Sequence, residues 1–505
     1  MPSPDGAPAA FGALRERLAE LSDLGAALHL VGWDQETMMP PAGAAARGEA
    51  LATLNRIAHD RLLDDGLFAL LEELEPWAAA LPADDDARAI VRVARRDAER
   101  ARRVPSELAG RISLAGSEAM DVWKRARRDG DFAAFAPYLQ RNLELRRELA
   151  ACFPDAEHPY DALLDAYEPG MTTTAIRATF AQLRAGLVPL IAEVAAAAQP
   201  PPLEGPFDVG AQRALALEIA RSFGFDDDHW RLDVSVHPFS QSVAPTDIRV
   251  TGRFTGDDIS GLFAVMHEVG HGLYERQQDP ALARTGLGTG VSMGVHESQS
   301  RLWENLVGRS RPFWSHWLPR AQALLPALRD LELDAFLRSV NAVRPSLIRV
   351  DADEATYSLH IVLRFELEVA LLEGTLAVAD LPAAWNDGMR ELLGVDVPDD
   401  RRGVLQDIHW AVGDLGYFPT YALGNIAAAQ LWQALSADLG DLEVDLERGD
   451  VTRLREWLGE HVHRAGRRLE PAELLTRVTG AAYEPEPLLR HLRAKFAALY
   501  GTTGE

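Results

Sequence analysis

The sequence predicts a mainly α-helical protein that carries a small β-hairpin or sheet. Apolar residues recur at three- and four-residue spacing through most of the 505 residues, a pattern typical of amphipathic helices. Alternation with a period of two marks one stretch, between residues 231 and 254, and indicates strands. Directly after that stretch, the pentapeptide H-E-x-x-H occupies residues 267–271 of a further helical segment.

Eight segments show the helical period and are separated by breaks rich in Pro, Gly and Asp. These predicted helices are residues 11–30, 87–103, 134–152, 174–198, 210–223, 320–340, 355–378 and 486–500. The Pro-rich stretch 195–207 has two interpretations. It either connects an N-terminal part to a C-terminal part, or it forms a surface loop inside one domain that spans residues 1–505.

Composition and charge exclude some classes of function. The chain is 47% hydrophobic and 25% charged, which is ordinary for a globular protein with a sizeable core. Its formal net charge of -25 argues against a nucleic-acid-binding protein, which needs a basic surface. The most basic run, residues 92–103, is interrupted by Asp97 and Glu99, so we interpret it as a solvated helix face.

Cysteine content and hydropathy bear on location. Cys152 is the single cysteine, so the fold does not depend on a disulfide within the chain or on an oxidising compartment. The first residues lack a basic region followed by an apolar one, and no run of about 18 apolar residues suggests a membrane span. We therefore expect a cytoplasmic protein without a membrane partner.

Two alternating runs precede the pentapeptide and predict two strands. They are "RLDVSVHPFS" (231–240) and "DIRVTGRF" (247–254), with "SQSVAPT" (240–246) as the predicted connection. Their polar faces carry His237, Arg249 and Thr251. These faces either point to water, as in a hairpin packed on helices, or line a neighbouring site. In the second case, His237 and Arg249 are candidates for contact with a substrate.

The pentapeptide lies in a segment predicted to be helical over residues 258–279. Its predicted buried stripe consists of Leu262, Met266, Val269 and Leu273. His267 and His271 are four residues apart, so both imidazoles project from one face, about 6 Å apart along the axis, and suit one zinc ion. Glu268 is rotated about 100° from His267, where it can reach a metal-bound water without binding the metal.

A third metal ligand must come from another segment. Glu275 lies about 12 Å along the helix axis from His267, too far to share a metal ion with both histidines. Glu297 is the best candidate, because it lies on a second predicted helix after the Gly-rich loop 284–294 and shares a polar stripe with Arg301 and Glu304. The alternative interpretation is a solvated carboxylate, as most glutamates are.

Such a ligand set fits hydrolysis of an amide bond. Zinc prefers histidine and carboxylate ligands, although nitrogen and oxygen ligands also accept cobalt or manganese. Zinc lowers the pKa of a bound water toward about 7 and polarises a carbonyl, while Glu268 would take the proton and pass it to the leaving nitrogen. The competing interpretation is an ordinary helix surface that binds no metal.

With these residues in place, the chain resembles the carboxypeptidase Taq family of zinc metallocarboxypeptidases over nearly its whole length. Six motifs of that family stand in order: "HPF" (237–239), "DIRVT" (247–251), "HEVGH" (267–271), "HESQ" (296–299), "IRVDAD" (348–353) and "GVLQDIHW" (403–410). Two further segments that resemble the family are "WDQETMMPP" (33–41) and "WLGEHVHRAG" (457–466).

The resemblance implies a helical, cleft-bearing metallopeptidase fold, usually a homodimer, that releases single residues from peptide C-termini with broad specificity. It assigns His267, His271 and Glu297 to the metal, and Glu268 to the base. Arg349 would receive the terminal carboxylate, which a guanidinium binds bidentately. Other candidates for contact with the substrate are Arg249, His237, His409, Tyr417 and Tyr421. The expected partners are peptides with a free C-terminus. An oligopeptidase that cuts internally and a catalytically silent peptide-binding protein remain alternatives.

Overall fold

The structure is a computed structural model that describes residues 6–501, and it confirms the mainly helical fold class. The helices before the sheet are α1 Ala9–Thr37, α2 Ala44–Leu62, α3 Asp65–Ala79, α4 Asp86–Arg103, α5 Ser106–Asp129, α6 Phe132–Ala151, α7 Pro159–Leu164, α8 Thr173–Ala196 and α9 Val209–Phe223. Those that follow it are α10 Ser260–Arg276, α11 Met293–Arg301, α12 Arg311–Leu324, α13 Leu333–Val340, α14 Tyr357–Glu373, α15 Leu381–Leu393 and α16 His409–Val412. The remaining helices are α17 Pro419–Leu439, α18 Leu442–Glu447, α19 Thr452–His461, α20 Pro471–Thr479 and α21 Glu486–Tyr500.

One predicted helix is wrong, because residues 320–340 do not form a single element. Helix α12 ends at Leu324, a single 3-10 turn covers Pro326–Leu328, and α13 begins at Leu333. Pro326 explains the break, because proline has no N–H to donate and disfavours the helical conformation of the residue before it. Accordingly, Leu325 has an extended backbone, with φ of -118° and ψ of 92°.

The sheet has three strands among the described residues: β1 Trp230–Val234, β2 Ser240–Ala244 and β3 Asp247–Gly252, in the order β1-β3-β2. The predicted connection is therefore wrong, since it contains β2. Strand β3 pairs antiparallel with β2 and parallel with β1. Parallel neighbours need a crossover, which β2 and its flanking loops supply. The first predicted strand also ends early, leaving Val236 71% exposed in the loop before β2.

The N-terminal helices have a hydrophobic cluster of their own, separate from the main core. Buried residues of α1, α3 and α4 pack together with Leu282 and Leu287 from the chain after α10. The interpretation of residues 92–103 as a solvated face is wrong in part. Arg96 and Arg100 pair with Asp165 at 3.2 and 2.6 Å, so α4 joins the N-terminal helices to the rest of the molecule through ion pairs.

Helix α8 is long and apolar enough to cross a membrane by length and composition alone. One third of its most apolar window is buried in the protein. Phe180, Leu183 and Leu187 on this helix belong to the main hydrophobic core. Their burial gives the apolar character of α8 a role in packing, because apolar surface removed from water stabilises the fold.

Two glycines let α11 lie unusually close to α10 and α17. A Cβ atom on Gly270 of α10 would lie 2.7 Å from the carbonyl oxygen of Gln299. A Cβ atom on Gly424 of α17 would lie 2.4 Å from Cγ of Glu297. Both distances are shorter than van der Waals contact, so only glycine fits without displacing α11. The close packing of these three helices therefore fixes the position of Glu297.

We expect Gly424→Ala to displace Glu297 and to destabilise the fold by about 1–3 kcal/mol, because the added methyl group overpacks a buried contact. The free energy of unfolding from denaturant titration and the metal content after reconstitution should both fall. The matched control is Gly110→Ala. Gly110 lies within α5, and a Cβ atom at this position would have no neighbouring atom within 4 Å. Equal stability and metal content in Gly424→Ala and the wild type would contradict the packing argument.

Candidate active site

The two histidines of the pentapeptide lie on α10 and face Glu297 of α11. The predicted stripe of α10 is buried, and it comprises Leu262, Met266, Val269 and Leu273. On another face of α10, Nε2 of His267 lies 3.6 Å and Nε2 of His271 lies 3.4 Å from Oε2 of Glu297. One ligand atom from each of these three residues lies within 4.8 Å of the others, a grouping that can hold a metal ion.

Each imidazole is oriented by a contact on its other nitrogen. Nδ1 of His267 lies 2.9 Å from Oε2 of Glu304, and Nδ1 of His271 lies 2.6 Å from Nδ1 of His296. His296 continues this chain, because its Nε2 lies 3.0 Å from Oε1 of Glu275. Donation from each Nδ1 leaves each Nε2 lone pair directed toward Glu297, which is the arrangement that metal-binding histidines adopt.

Glu297 is held so that one oxygen faces the histidines. Nε of Arg301 donates to Oε1 at 2.7 Å, and the Ser300 hydroxyl donates to Oε2 at 3.1 Å. Burial works against ionisation of Glu297, but the positive charge of Arg301 outweighs it and holds the pKa of this carboxyl well below its usual value. Glu297 is therefore an ionised ligand.

Glu304 lies on the π-helical turn Leu302–Val307 that continues α11. Its carboxylate accepts hydrogen bonds from Arg301 at 3.2 Å and from Arg309 at 3.3 Å, in addition to its contact with His267. Burial opposes its ionisation, but the charge of Arg301 and the bond to His267 lower its pKa to about 2. The wider turn, a feature that often occurs at functional sites, places this carboxylate behind His267.

The donor chemistry fits a divalent metal ion. Burial lowers the pKa of His271 to about 3, so its imidazole is neutral and its Nε2 is a lone-pair donor. Two imidazole nitrogens and one ionised carboxylate are the three protein ligands of a catalytic zinc-type site, which keeps a further position open. The structure therefore defines a His-His-Glu metal site formed by His267, His271 and Glu297.

Glu268 is buried, being 6% exposed, and lies next to this metal site. Burial raises the pKa of its carboxyl to about 7, and the negative charge of Glu297 adds to this effect while His267 opposes it. A carboxyl with a pKa near neutrality suits the transfer of a proton in both directions.

Arg349 is also buried, and three of its N–H groups are occupied. Nε and Nη2 donate to Oδ1 of Asp407 at 3.0 and 2.9 Å, and Nη1 donates to the Tyr357 hydroxyl at 2.9 Å. Arg364 donates from Nε to the other oxygen of Asp407 at 2.7 Å. Arg349 is therefore not an exposed surface arginine, and the carboxylate with which it pairs is Asp407.

Among the aromatic candidates, Tyr421 packs on Arg349, and His409 and Tyr417 pack on Tyr421. The Arg349 guanidinium lies 4.9 Å from the ring centroid of Tyr421, and the Tyr421 hydroxyl lies 3.2 Å from Nε2 of His409. Burial raises the pKa of Tyr417 above its ordinary value, and the negative charge of Glu297 adds to this effect. The Tyr417 hydroxyl therefore stays protonated. Burial lowers the pKa of His409 to about 4, which keeps its imidazole neutral.

Arg249 and His237, the other two candidates for contact with the substrate, lie in different surroundings. Arg249 binds Asp247 of its own strand with both Nε at 2.8 Å and Nη2 at 2.9 Å, and its guanidinium stacks on Trp33 at 4.5 Å. His237 is exposed in the loop between β1 and β2. Neither side chain has a contact with the metal ligands among the interactions of the described residues.

The sequence did not predict that several residues of this neighbourhood orient the metal ligands or Arg349. Glu304 and His296 orient the two histidines, and Tyr357 and Asp407 hold Arg349. Glu304 had a visible signal, since it lies on the polar stripe of Glu297 and Arg301. Asp407 lies in the "GVLQDIHW" motif. Tyr357 had no signal, because its contact with Arg301 joins segments that are distant in the sequence.

A helix-borne His-His-Glu metal site with a buried glutamate of raised pKa beside it defines a metallopeptidase. Residues 13–496 match the family described as carboxypeptidase Taq (M32) metallopeptidase. The chain belongs to this family of metallocarboxypeptidases, which hydrolyse peptides. The match covers nearly its full length.

Individual relatives agree with the family match. The chain is 43% identical to thermostable carboxypeptidase 1 of Thermus thermophilus over 496 residues, which covers 96% of this chain and 97% of that protein. It is 36% identical to carboxypeptidase 1 of Bacillus subtilis, covering 97% and 98% of the two chains. The crystal structure of the M32 carboxypeptidase from Deinococcus radiodurans superimposes with a TM-score of 0.95 at 40% identity, over 98% of this chain and 100% of that one.

We expect Glu304→Gln to weaken metal binding by about 10- to 100-fold. The wild-type carboxylate orients the His267 imidazole and makes it a more basic ligand, and the substitution removes both effects. Competition with a chromophoric chelator measures this affinity without relying on activity. The control is Glu218→Gln, which removes a carboxylate from a surface ion pair with Arg320 and should leave metal affinity at the wild-type value. An affinity within twofold of the wild type in Glu304→Gln would show that Glu304 has no part in the metal site.

Proposed function

We propose that this protein releases single amino acids from the free C-terminus of peptides, and the surroundings of Arg349 carry the proposal. A guanidinium has five N–H groups. Three of these N–H groups on Arg349 are used by Asp407 and Tyr357, which leaves one N–H on Nη1 and one on Nη2 without a partner among the described residues. Two neighbouring N–H groups are what a carboxylate needs for bidentate binding.

The balance of charge supports a carboxylate as the ligand. Asp407 is one anion shared by two buried cations, Arg349 and Arg364. The imidazoles nearby add no charge, because burial holds the pKa values of His409 and His360 below their ordinary range. A buried excess of one positive charge is costly unless an anion binds there. The terminal carboxylate of a peptide supplies that anion.

Arg349 and the metal site are connected through two residues. The Tyr357 hydroxyl accepts from Arg349, and the guanidinium of Arg301 stacks on the Tyr357 ring at 4.2 Å. Arg301 in turn donates to Glu297 at 2.7 Å. We propose that a peptide anchored at Arg349 presents its last peptide bond to the metal ligands, and the contacts that link Arg349 to Glu297 support an exopeptidase over an internally cutting oligopeptidase.

The residues then divide the reaction between them. We propose zinc as the ion; when bound by this ligand set, zinc supplies Lewis-acid polarisation of a carbonyl and a lower pKa for water. Glu268 takes a proton from the attacking water and delivers it to the leaving nitrogen, for which its raised pKa is suited. Tyr417, Tyr421 and His409 are the candidate donors to the oxyanion, since both hydroxyls remain protonated.

Two further proposals rest on family resemblance. The bound ion is zinc rather than cobalt or manganese, and the protein is a homodimer. The two histidines and one carboxylate suit zinc, although such ligands accept several divalent ions. Metal analysis of protein purified without added metal identifies the bound ion, and light scattering gives the mass in solution, for which a homodimer predicts twice the 55.3 kDa of the chain.

We expect Arg349→Gln to lower kcat/KM for peptides with a free C-terminus by about 100-fold or more, because it removes the cation that pairs with the terminal carboxylate. The variant should cleave peptides with a free C-terminus and peptides with an amidated C-terminus at nearly equal kcat/KM. Folding should persist, because Asp407 stays paired with Arg364. Arg320→Gln is the matched control, because Arg320 lies in a surface ion pair with Glu218, and it should keep the wild-type ratio of these two kcat/KM values. The carboxylate assignment fails if Arg349→Gln retains the wild-type preference for free C-termini.

We expect Glu268→Gln to keep its metal and to lose amino-acid release by about 100- to 10,000-fold, because glutamine cannot accept the proton of the attacking water. Metal analysis and mass spectrometry of the released products measure the two effects separately. A wild-type protein that binds metal but releases no amino acid would favour the silent binding protein. Release of internal fragments in place of single residues would favour the oligopeptidase.

A further inference from the structure

The side chain of Tyr357 lies between the metal ligands and the proposed carboxylate site. Tyr357 is the first residue of α14 and is 5% exposed. Its hydroxyl accepts a hydrogen bond from Nη1 of Arg349 at 2.9 Å. Its ring carries the guanidinium of Arg301 at 4.2 Å, a short cation–π distance. One aromatic side chain thus contacts an arginine from each of the two sites.

Both arginines are fixed by further contacts. Arg301 donates to Glu297 at 2.7 Å and to Glu304 at 3.2 Å, so its guanidinium cannot move without disturbing the metal ligands. The backbone N–H of Arg349 donates to Gln406 at 2.8 Å, and its side chain is bound to Asp407. The ring of Tyr357 therefore bridges two rigid groups across a packed interior, where small shifts are resisted.

The distance between these groups decides which peptide bond is cleaved. In an exopeptidase that removes one residue, the terminal carboxylate and the carbonyl that is attacked belong to adjacent residues, whose Cα atoms are about 3.8 Å apart. If the carboxylate anchor moves by about 1 Å, a peptide whose last carbonyl lies at the metal ligands no longer meets Arg349 in good geometry, so productive binding weakens. A fixed spacer between Arg349 and Glu297 is thus a functional requirement.

We propose that Tyr357 is a positioning residue that holds Arg349 at a fixed distance from the metal ligand Glu297 and thereby restricts cleavage to the last peptide bond. This inference rests on the proposed role of Arg349. Tyr357 acts through the hydroxyl that accepts from Arg349 and through the ring that packs on Arg301, and it takes no part in the chemical step.

The test is Tyr357→Phe, which keeps the ring and removes the hydroxyl. For peptides with a free C-terminus, KM is expected to rise about tenfold, equivalent to about 1.4 kcal/mol of lost binding, while kcat changes much less. Metal content and thermal unfolding should stay at the wild-type values. The matched control is Tyr160→Phe, which removes another buried hydroxyl, one bound to Glu368 at 2.6 Å, and should leave KM unchanged.

A double-mutant cycle with Arg349→Gln separates a positioning role from a general structural one. If Tyr357 acts through Arg349, then Tyr357→Phe has no further effect on KM in the Arg349→Gln background. An unchanged KM in the single variant, or an equal rise in both backgrounds, would overturn the proposal for Tyr357 alone. An unaltered preference for free C-termini in Arg349→Gln would overturn the proposed function and this inference together.

Arg349→Lys provides a second route to the same contact. Lysine keeps the positive charge but lacks the planar fork that reaches Asp407 and Tyr357 at once. Its KM for free C-termini should rise by at least as much as that of Tyr357→Phe, and adding Tyr357→Phe should then have little effect. A further tenfold rise in the combined variant would show that the hydroxyl acts independently of Arg349.

Discussion

The contact on which the site depends is the clamp of Arg301 on Glu297. The guanidinium occupies one oxygen of the carboxylate and leaves the other facing two imidazole nitrogens. The same guanidinium binds Glu304, which orients His267, and packs on Tyr357, which binds Arg349. Arg301 thus contacts both buried glutamates and connects the metal ligands to the proposed carboxylate site.

The close approach of helices makes this clamp possible. Gly270 and Gly424 allow α11 to pack between α10 and α17 at backbone distance, so the side chains of Glu297 and the two histidines meet with little freedom. A preorganised ligand set loses less conformational entropy when it binds a metal ion than a flexible set does. The charge excess of two arginines over Asp407 is a second preorganised feature, directed at an anion rather than a cation.

The parts of the fold and of the site that could be predicted from the sequence are those that depend on the local pattern of apolar and polar residues. The period of α10 predicted both its buried stripe and the face shared by His267 and His271, since both depend on helix geometry alone. The polar stripe of α11 pointed to Glu297. Pairing of β1 with β3, by contrast, depends on contacts between segments that are distant in sequence. For the same reason, the sequence did not predict Tyr357 as the neighbour of Arg301.

The most direct test of the account is X-ray absorption spectroscopy of the metal-loaded protein, because it reports the ligand atoms themselves. The account predicts two imidazole nitrogens at about 2.0–2.1 Å and at least one oxygen at a similar distance, with the imidazole signal reduced in His267→Ala and in His271→Ala. A spectrum without imidazole scattering, or one dominated by sulfur from Cys152, would contradict a metal site formed by His267, His271 and Glu297.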